Sequence, residues 1–521
     1  MISPTQRLAV RQKRKTIFLP LACIFIALLA CSRSQRASNE PFWSISRQGL
    51  PTSPARITQT PPAWIPAPRR SPGAPILTPT PDTPHKLPAI RTRSEEYAVQ
   101  PGDTLGLIAN RYGVSVDQIV NANDLLNPNI LSVGQILTIP APTPQHSGPD
   151  FKIIPDSELV YGPYTVLFNI EEFVKKQDGF LSSYSEEVDG ESLSGAQILQ
   201  RIAQDYSVNP RLLLATLQYQ TGWLTNPRPA KKDQDYPLGW VDPNRKGLYR
   251  QLAWAANTLN GGYYLWRYGR AATWVLADGN IVPIAPTINA GTAAVQYFFA
   301  QFHDRSAWER AVSSEGLFAA YNALFGYPFD YAIEPLIPAD LFQPAMQLPF
   351  EPGAVWYYTG GPHGGWGDGS AWAALDFAPP GEALGCVMND AWVVAVADGL
   401  ILRAKNGAVI QDLDGDGLEQ TGWTVLYMHI EERDRVLPGV FLKAGERIGH
   451  PSCEGGVSSG THVHLARRYN GEWIAAAGPI PFVLDGWVAK GSEREYDGYL
   501  LRGGKQIEAY AGIAPNNGIQ R

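Results

Sequence analysis

The spacing of apolar positions changes several times along the chain, and each change marks a boundary. Residues 32–94 are dense in Pro, Ser, Thr and Arg and show no apolar period, which predicts a disordered, extended linker. In residues 95–141, Tyr97-Ala98-Val99 predicts a short strand. Leu105, Ile108, Ala109 and Tyr112 then keep helical spacing, Ser115 and Gln118 form a capping box for a second helix, and Ile136-Leu137-Thr138-Ile139 closes the unit as a strand. The result is a small α+β module of βααβ order. From 151 to 345 the period is helical throughout. Ser194 and Gln197 make another capping box, Ile198, Ile202 and Tyr206 share a face, and Asn209-Pro210 opens the run Leu212-Leu213-Leu214-Ala215. An all-α middle domain is expected. In residues 346–521 the pattern shortens to alternating runs at 392–397, 399–402, 423–428 and 462–466, which predict a mainly antiparallel β domain.

The first 31 residues have a different character. Arg7, Arg11, Lys13, Arg14 and Lys15 precede the apolar run 17–30, which is too short to span a bilayer comfortably. A basic start followed by a short apolar core is the layout of a secretory signal. The run ends Leu28-Leu29-Ala30-Cys31, which resembles a bacterial lipobox. That resemblance implies lipidation of Cys31 and a membrane-anchored lipoprotein facing the cell wall. Of the four cysteines, Cys23 and Cys31 belong to this segment and Cys386 and Cys453 remain. A leftover pair in an exported chain suggests a disulfide, with two separately buried thiols as the alternative. The net charge of −6 gives no support for nucleic-acid binding, and 15 Trp and 23 Tyr suit a carbohydrate or cell-wall partner.

Candidate chemistry collects in the last third, where five of the eight histidines fall. His85, His146 and His303 lie outside it and read as surface or structural. His462 and His464 stand two apart, so a strand places both rings on one face. Three segments carry candidate ligands: Gly360-Gly361-Pro362-His363 running on to Asp376, Tyr427-Met428-His429, and Thr461-His462-Val463-His464. A catalytic zinc needs three N or O ligands and one open position. No His-Glu-x-x-His helix is present, which excludes the helical zinc-protease solution.

Three family resemblances sharpen these expectations. Val99-Gln100-Pro101-Gly102-Asp103-Thr104-Leu105, Ala122-Asn123 and Val133-Gly134-Gln135-Ile136-Leu137 resemble a LysM domain. That implies binding of N-acetylglucosamine-containing glycan through Gly102, Asp103, Thr104 and Leu105 and a second loop at 127–131. The middle domain resembles the lysozyme-like fold of lytic transglycosylases, but Gln220 stands where those enzymes carry their catalytic Glu. A neutral amide cannot protonate a leaving oxygen, so an inactive glycan-binding domain is expected. The three ligand-bearing segments resemble the lysostaphin-like (duplicated hybrid motif) zinc endopeptidases. Trp372 occupies the position four before Asp376 where many members place the first His. His363 stands thirteen before Asp376 instead, and with Pro451-Ser452-Cys453-Glu454-Gly455-Gly456-Val457 and Tyr469-Asn470-Gly471-Glu472-Trp473 this long form resembles the β-lytic subgroup. The resemblance implies His363, Asp376 and His464 as zinc ligands. His429 and His462 would sit beside the bound water, one as base or proton shuttle and the other stabilising the oxyanion. It also implies cleavage of peptide crosslinks in peptidoglycan, with Cys386–Cys453 bracing loops that flank the site. His450 is expected on the rim.

Asp412, Asp414 and Asp416 alternate with glycines as in a calcium loop, but Trp423 fills the twelfth position where a Glu is needed. Asp-Gly pairs also favour hairpin turns, and a plain turn is the reading, with Ca2+ as the alternative. Taken together, the sequence describes an exported zinc endopeptidase acting on peptidoglycan glycan-peptide, targeted by a LysM module. The alternative is a non-catalytic wall-binding scaffold or activator of another murein hydrolase.

Overall fold

The computed structural model describes residues 78–100, 102–143, 147–381 and 385–521. The expected signal segment, Cys31 and the linker up to residue 77 lie outside them, as does His146. Among the described residues no helix is long and apolar enough to cross a membrane.

The βααβ module forms as expected. Strands β1 (Glu95–Ala98) and β2 (Ile136–Ile139) pair antiparallel around helices α1 (Leu105–Tyr112) and α2 (Val116–Ala122). Thr104 caps α1, the Ser115–Gln118 box caps α2, and a small core of Val99, Leu105, Ile108, Ile119, Leu137 and Ile139 holds them. The linker expected to be disordered up to 94 is ordered over its described part. Asp82 and His85 donate main-chain N–H groups to the carbonyls of Thr287 and Pro286, and His85 stacks on Trp266 at 4.7 Å. Arg91 reaches the carbonyls of Ile139 and Pro140. On the far side of the module Gly148 donates to Pro283 O at 2.8 Å. Both ends of the module are therefore tied down.

The middle region is mainly helical but not all-α. Its principal helices are α3 (Gly195–Tyr206), α4 (Pro210–Thr221), α5 (Leu248–Arg267), α6 (Ala290–Ala300) and α7 (Leu317–Phe325). Two hairpins interrupt them, β3 (Ser185–Val188) with β4 (Glu191–Ser194), and β5 (Thr273–Val275) with β6 (Ile281–Pro283). The polar, alternating sequence 185–194 has strand period, which a reading weighted to helical spacing passes over. The expected caps at Ser194 and Asn209 are present, and Ile198, Ile202, Leu212, Leu213 and Leu214 are fully buried.

The last region is built on a nine-stranded antiparallel sheet. Its strands are β7 (Val355–His363), β8 (Ala374–Ala378), β9 (Gly399–Lys405), β10 (Ala408–Asp412), β11 (Trp423–Met428), β12 (Phe441–Leu442), β13 (Val463–Tyr469), β14 (Glu472–Trp473) and β15 (Gly518–Gln520). The order is β12-β9-β10-β11-β13-β8-β7-β15, with β14 paired to β13. The run 392–397 yields a strand over Val393–Val394 alone. Alternation sorts the faces. Val425 and Tyr427, Val463 and Leu465, and Leu375 and Phe377 point into the region's own core, shared with Leu484, Trp487 and Leu500 of a separate four-stranded sheet. Leu426 and Met428, Ala408 and Ile410, Ala374 and Ala466 point the other way, into the core of the helices.

The helical region and the sheet thus share one hydrophobic core. Buried polar pairs reinforce the contact: Arg403 with Asp205 and Glu419, Arg468 with Glu419 and the carbonyl of Gln204, and Arg267 with Glu472 at 2.7 Å. The turn between β13 and β14 docks on the helices, where Ser207 Oγ donates to Gly471 O at 2.6 Å and Tyr264 Oη accepts from Trp473 N–H at 2.9 Å.

Candidate metal centre

The register of three adjacent strands assembles the site. His464 on β13 lies directly across from Asp376 on β8, and Met428, which precedes His429, lies across from His464 on the other side. On β7, Gly360 is opposite Asp376 and His363 opposite Ala374, with a register shift between them. A Cβ on Gly360 would stand 2.5 Å from Asp376 Oδ2, so the strand passes the carboxylate as closely as it does only with glycine there. His464 and Asp376 belong to the sheet face that also receives the helices.

Three ligand atoms, one each from His363, Asp376 and His464, lie within 4.8 Å of one another. His363 Nδ1 bonds the carbonyl of Gly361 at 2.8 Å, leaving Nε2 to face His464 Nδ1 at 3.0 Å and Asp376 Oδ1 at 3.2 Å. His464 Nε2 bonds the carbonyl of Gly365 at 3.0 Å, which turns Nδ1 to Asp376 Oδ1 at 3.3 Å. Main-chain carbonyls fix both tautomers, the usual outer support of a metal-bound imidazole. All three residues are buried, and Asp376 Oδ1 has no hydrogen-bond donor assigned to it. Two buried imidazole nitrogens and an orphaned carboxylate oxygen converging on one point fit a zinc ion. Burial lowers the pKa of the His464 ring, while Asp376 outweighs the burial of His363 and raises it.

His429 and His462 stand beside this cluster, with rings 4.4 Å apart. His429 Nδ1 meets Glu454 O at 3.0 Å and His462 Nδ1 meets Gly460 O at 2.7 Å, so each offers Nε2 to the site. His462 Nε2 is 3.8 Å from Asp376 Oδ1. Burial and the neighbouring rings push the His429 pKa down to about 3. The Cys386–Cys453 bond is formed. Its loop holds Thr461, whose hydroxyl donates to Val387 O and accepts from Val387 N–H, next to His462.

One expectation is corrected. His450 is not on the rim: it is buried, packed on Trp392 at 3.9 Å and bonded to Ala391 O. Leu105 lies in the core of its module, Asp103 accepts from Tyr97 Oη and Gln100 N–H, and Thr104 is a helix cap, so three of the four proposed glycan contacts have their side chains engaged internally. Asp412, Asp414 and Asp416 do come together, but the Asp412 carboxylate accepts the N–H groups of Asp414, Gly415 and Gly417, as in a turn. Gln220 lies in the last turn of α4, its amide nitrogen buried without a hydrogen-bond partner.

The metal cluster opens into a groove of about 2240 Å3 with walls from both regions. The sheet side supplies the five site residues. The helical side supplies Gln197, Gln200 and Gln204, a row on α3, with Tyr249. Tyr496, stacked on His363 at 4.2 Å, was not legible in the sequence: it follows a charged, motif-free stretch and is held at the site by main-chain bonds with Gly361 and Pro362.

Several known proteins resemble parts of the chain. The LysM domain model matches residues 97–140, and the model for the N-terminal domain of LasA matches residues 152–338, where the sequence resemblance pointed to a lysozyme-like fold. Protease LasA of Pseudomonas aeruginosa is 25% identical over 345 residues, covering 62% of this chain and 75% of that protein. The N-acetylmuramoyl-L-alanine amidase XlyA of Bacillus subtilis is 38% identical over 73 residues, 14% of this chain and 24% of that protein. Among solved structures, the M23 metalloprotease pseudoalterin from the deep sea is 24% identical with a TM-score of 0.28, over 35% of this chain and all of that one. The chain thus carries a LysM domain and a stretch that matches the LasA N-terminal-domain model, and is similar to Protease LasA over 62% of its length.

Proposed function

We propose that the chain is an exported zinc endopeptidase that cleaves peptide crosslinks of bacterial peptidoglycan. The observation that carries the reading is the convergence of His363 Nε2, His464 Nδ1 and Asp376 Oδ1, with His429 and His462 presenting Nε2 beside them. When bound there, zinc supplies a Lewis acid for the attacking water and the scissile carbonyl.

The remaining chemistry belongs to the side chains. Each of the two flanking histidines has Nδ1 occupied by a carbonyl, so Nε2 is the atom available to take or return a proton. The phenol of Tyr496, held up at about 12 by burial and by Asp376, keeps its proton and can donate it to a developing oxyanion. The groove is large enough for a peptide branching from a glycan, and the glutamine row on α3 offers neutral donors and acceptors to such a substrate. The LysM module holds glycan and the lipidated Cys31 holds the chain at the membrane, which raises the local concentration of wall substrate.

Digestion of purified peptidoglycan by the full chain, with and without chelator, tests the reading. Chelator-sensitive new amino termini in stem or bridge peptides are expected. Intact peptides, together with less than stoichiometric zinc in the protein, would instead favour the wall-binding scaffold.

A further inference from the structure

The ring of His462 is aimed by a single peptide plane. Its Nδ1 meets the carbonyl of Gly460 at 2.7 Å, and that carbonyl shares a rigid plane with the N–H of Thr461. Both edges of the plane are held. On the N–H edge, Thr461 donates to Gly385 O at 3.0 Å, and the Thr461 hydroxyl clasps Val387 through both its N–H and its carbonyl. On the carbonyl edge, Ser458 Oγ donates to Gly460 O at 2.7 Å and stands 3.4 Å from His462 Nδ1. The same oxygen takes the Gly460 N–H at 3.4 Å. A carbonyl oxygen has two lone pairs, so that of Gly460 accepts from the ring and from the hydroxyl at once. These two supports come from the two halves of one covalent link. Gly385 and Val387 flank Cys386, and Ser458 Oγ lies 3.4 Å from the sulfur of Cys453. Gly460 brings no side chain of its own that could hold the plane.

We infer that Ser458 is a positioning residue for His462, acting through the Gly460 carbonyl within a frame that the Cys386–Cys453 bond closes. The inference rests on the reading of His462 as a group that offers Nε2 to the reaction, and it goes further by naming what holds that nitrogen in place. A ring free to turn presents Nε2 to the site for only part of the time. The frame removes that freedom before a substrate arrives, so the orientation is settled in advance. His429 is served separately, since its Nδ1 meets a different carbonyl, that of Glu454. Loss of the Ser458 hydroxyl therefore acts on one of the two flanking histidines and not on the other.

The test is Ser458→Ala in the full chain. It is read by the imidazole nitrogen NMR signals of histidine-labelled protein, assigned by their loss in His462→Ala and His429→Ala, by zinc competition against a chelator, and by kcat and KM on a crosslink peptide. The His462 signals are expected to move toward a mixture of its two tautomers while those of His429 stay as in the parent. Zinc affinity and KM are expected to hold, and kcat to fall about 10-fold, the worth of one hydrogen bond. Ser458→Thr keeps the hydroxyl and is expected to behave as the parent. In the His462→Ala background, Ser458→Ala is expected to cost nothing more, because the group it acts through is gone. Should the alanine variant fail to fold, Ser458→Gly removes the same hydroxyl and is expected to give the same results. Parent-like His462 signals in a folded variant overturn the inference. So does equal movement of the His429 signals, which would make Ser458 a support of the whole loop, and so does a further loss of kcat on top of His462→Ala. A parent chain that cleaves no crosslink peptide refutes the endopeptidase reading instead, and the ring-nitrogen signals still decide the role of Ser458.

Discussion

His464 donates through Nε2 to the carbonyl of Gly365, 3.0 Å away, and that single bond decides which of its nitrogens faces Asp376. His462, two residues earlier on the same strand edge, is oriented instead by the carbonyl of Gly460. Two histidines from one short run are thereby turned to different tasks.

His464→Ala is expected to abolish stoichiometric zinc and activity together. His462→Ala is expected to keep zinc and lose about 10²–10⁴-fold in kcat, the range for a positioned acid-base group. Zinc content by atomic absorption, read beside turnover on a crosslink peptide, decides it. Equal zinc loss in both variants would reverse the assignment.

The disulfide closes a loop with a sequence separation of 67 residues. A closed loop of that size stabilises by about 4 kcal/mol in the chain-entropy model. Cys453→Ser is expected to lower the Tm by several degrees and, because Thr461 leans on the same loop, to reduce kcat more than zinc content. Differential scanning calorimetry and kinetics check both; unchanged kcat would detach the loop from the site.

Glu472 gives a pH signature. Burial pushes its carboxyl up to about 7 from an ordinary 4.5, even with Arg267 beside it. A group that keeps its proton longer when folded makes stability fall as pH rises, here between about 4.5 and 7. The swing is roughly 3 kcal/mol at 1.36 kcal/mol per pH unit. Glu472→Gln is expected to gain on the parent by about that amount across this window in urea denaturation at several pH values. A pH-independent difference would show that Glu472 titrates normally.

Calcium is expected to give no binding heat at Asp412, Asp414 and Asp416, since backbone N–H groups already occupy the Asp412 oxygens. Isothermal calorimetry of the zinc-loaded protein tests this, and a saturable signal lost in Asp412→Asn would make the turn an ion site.

The elements that were legible in the sequence are those whose signals are local. The capping boxes at Ser115 and Ser194, the strand at Trp423–Met428 and the His-x-His pair each depend on residues within a few positions of one another. Their side chains fall where the periods place them. The ligand set was readable only through family resemblance, because residues 363, 376 and 464 become neighbours through strand pairing that no local period encodes. Tyr496 was silent for a stronger reason. It is held by main-chain bonds with the distant residues Gly361 and Pro362, and a single Tyr carries no spacing to detect. The ordered strap at 82–85 was hidden in the same way: its composition is that of a tether, and its order comes from carbonyls at 286 and 287.

That strap, with the bond from Gly148 to Pro283 beyond the module, has a consequence for how wall binding is used. A binding module joined by slack chain on either side acts as a leash, and its contribution depends only on how far it can wander. Here the chain is fastened at 82–85, ahead of the βααβ unit, and at 148, after it, to residues of one neighbourhood at 283–287. On the proposed function, a sugar strand gripped by such a unit would be delivered at a set distance and angle from the groove. The module would then serve as a ruler, setting which peptide along the strand comes within reach.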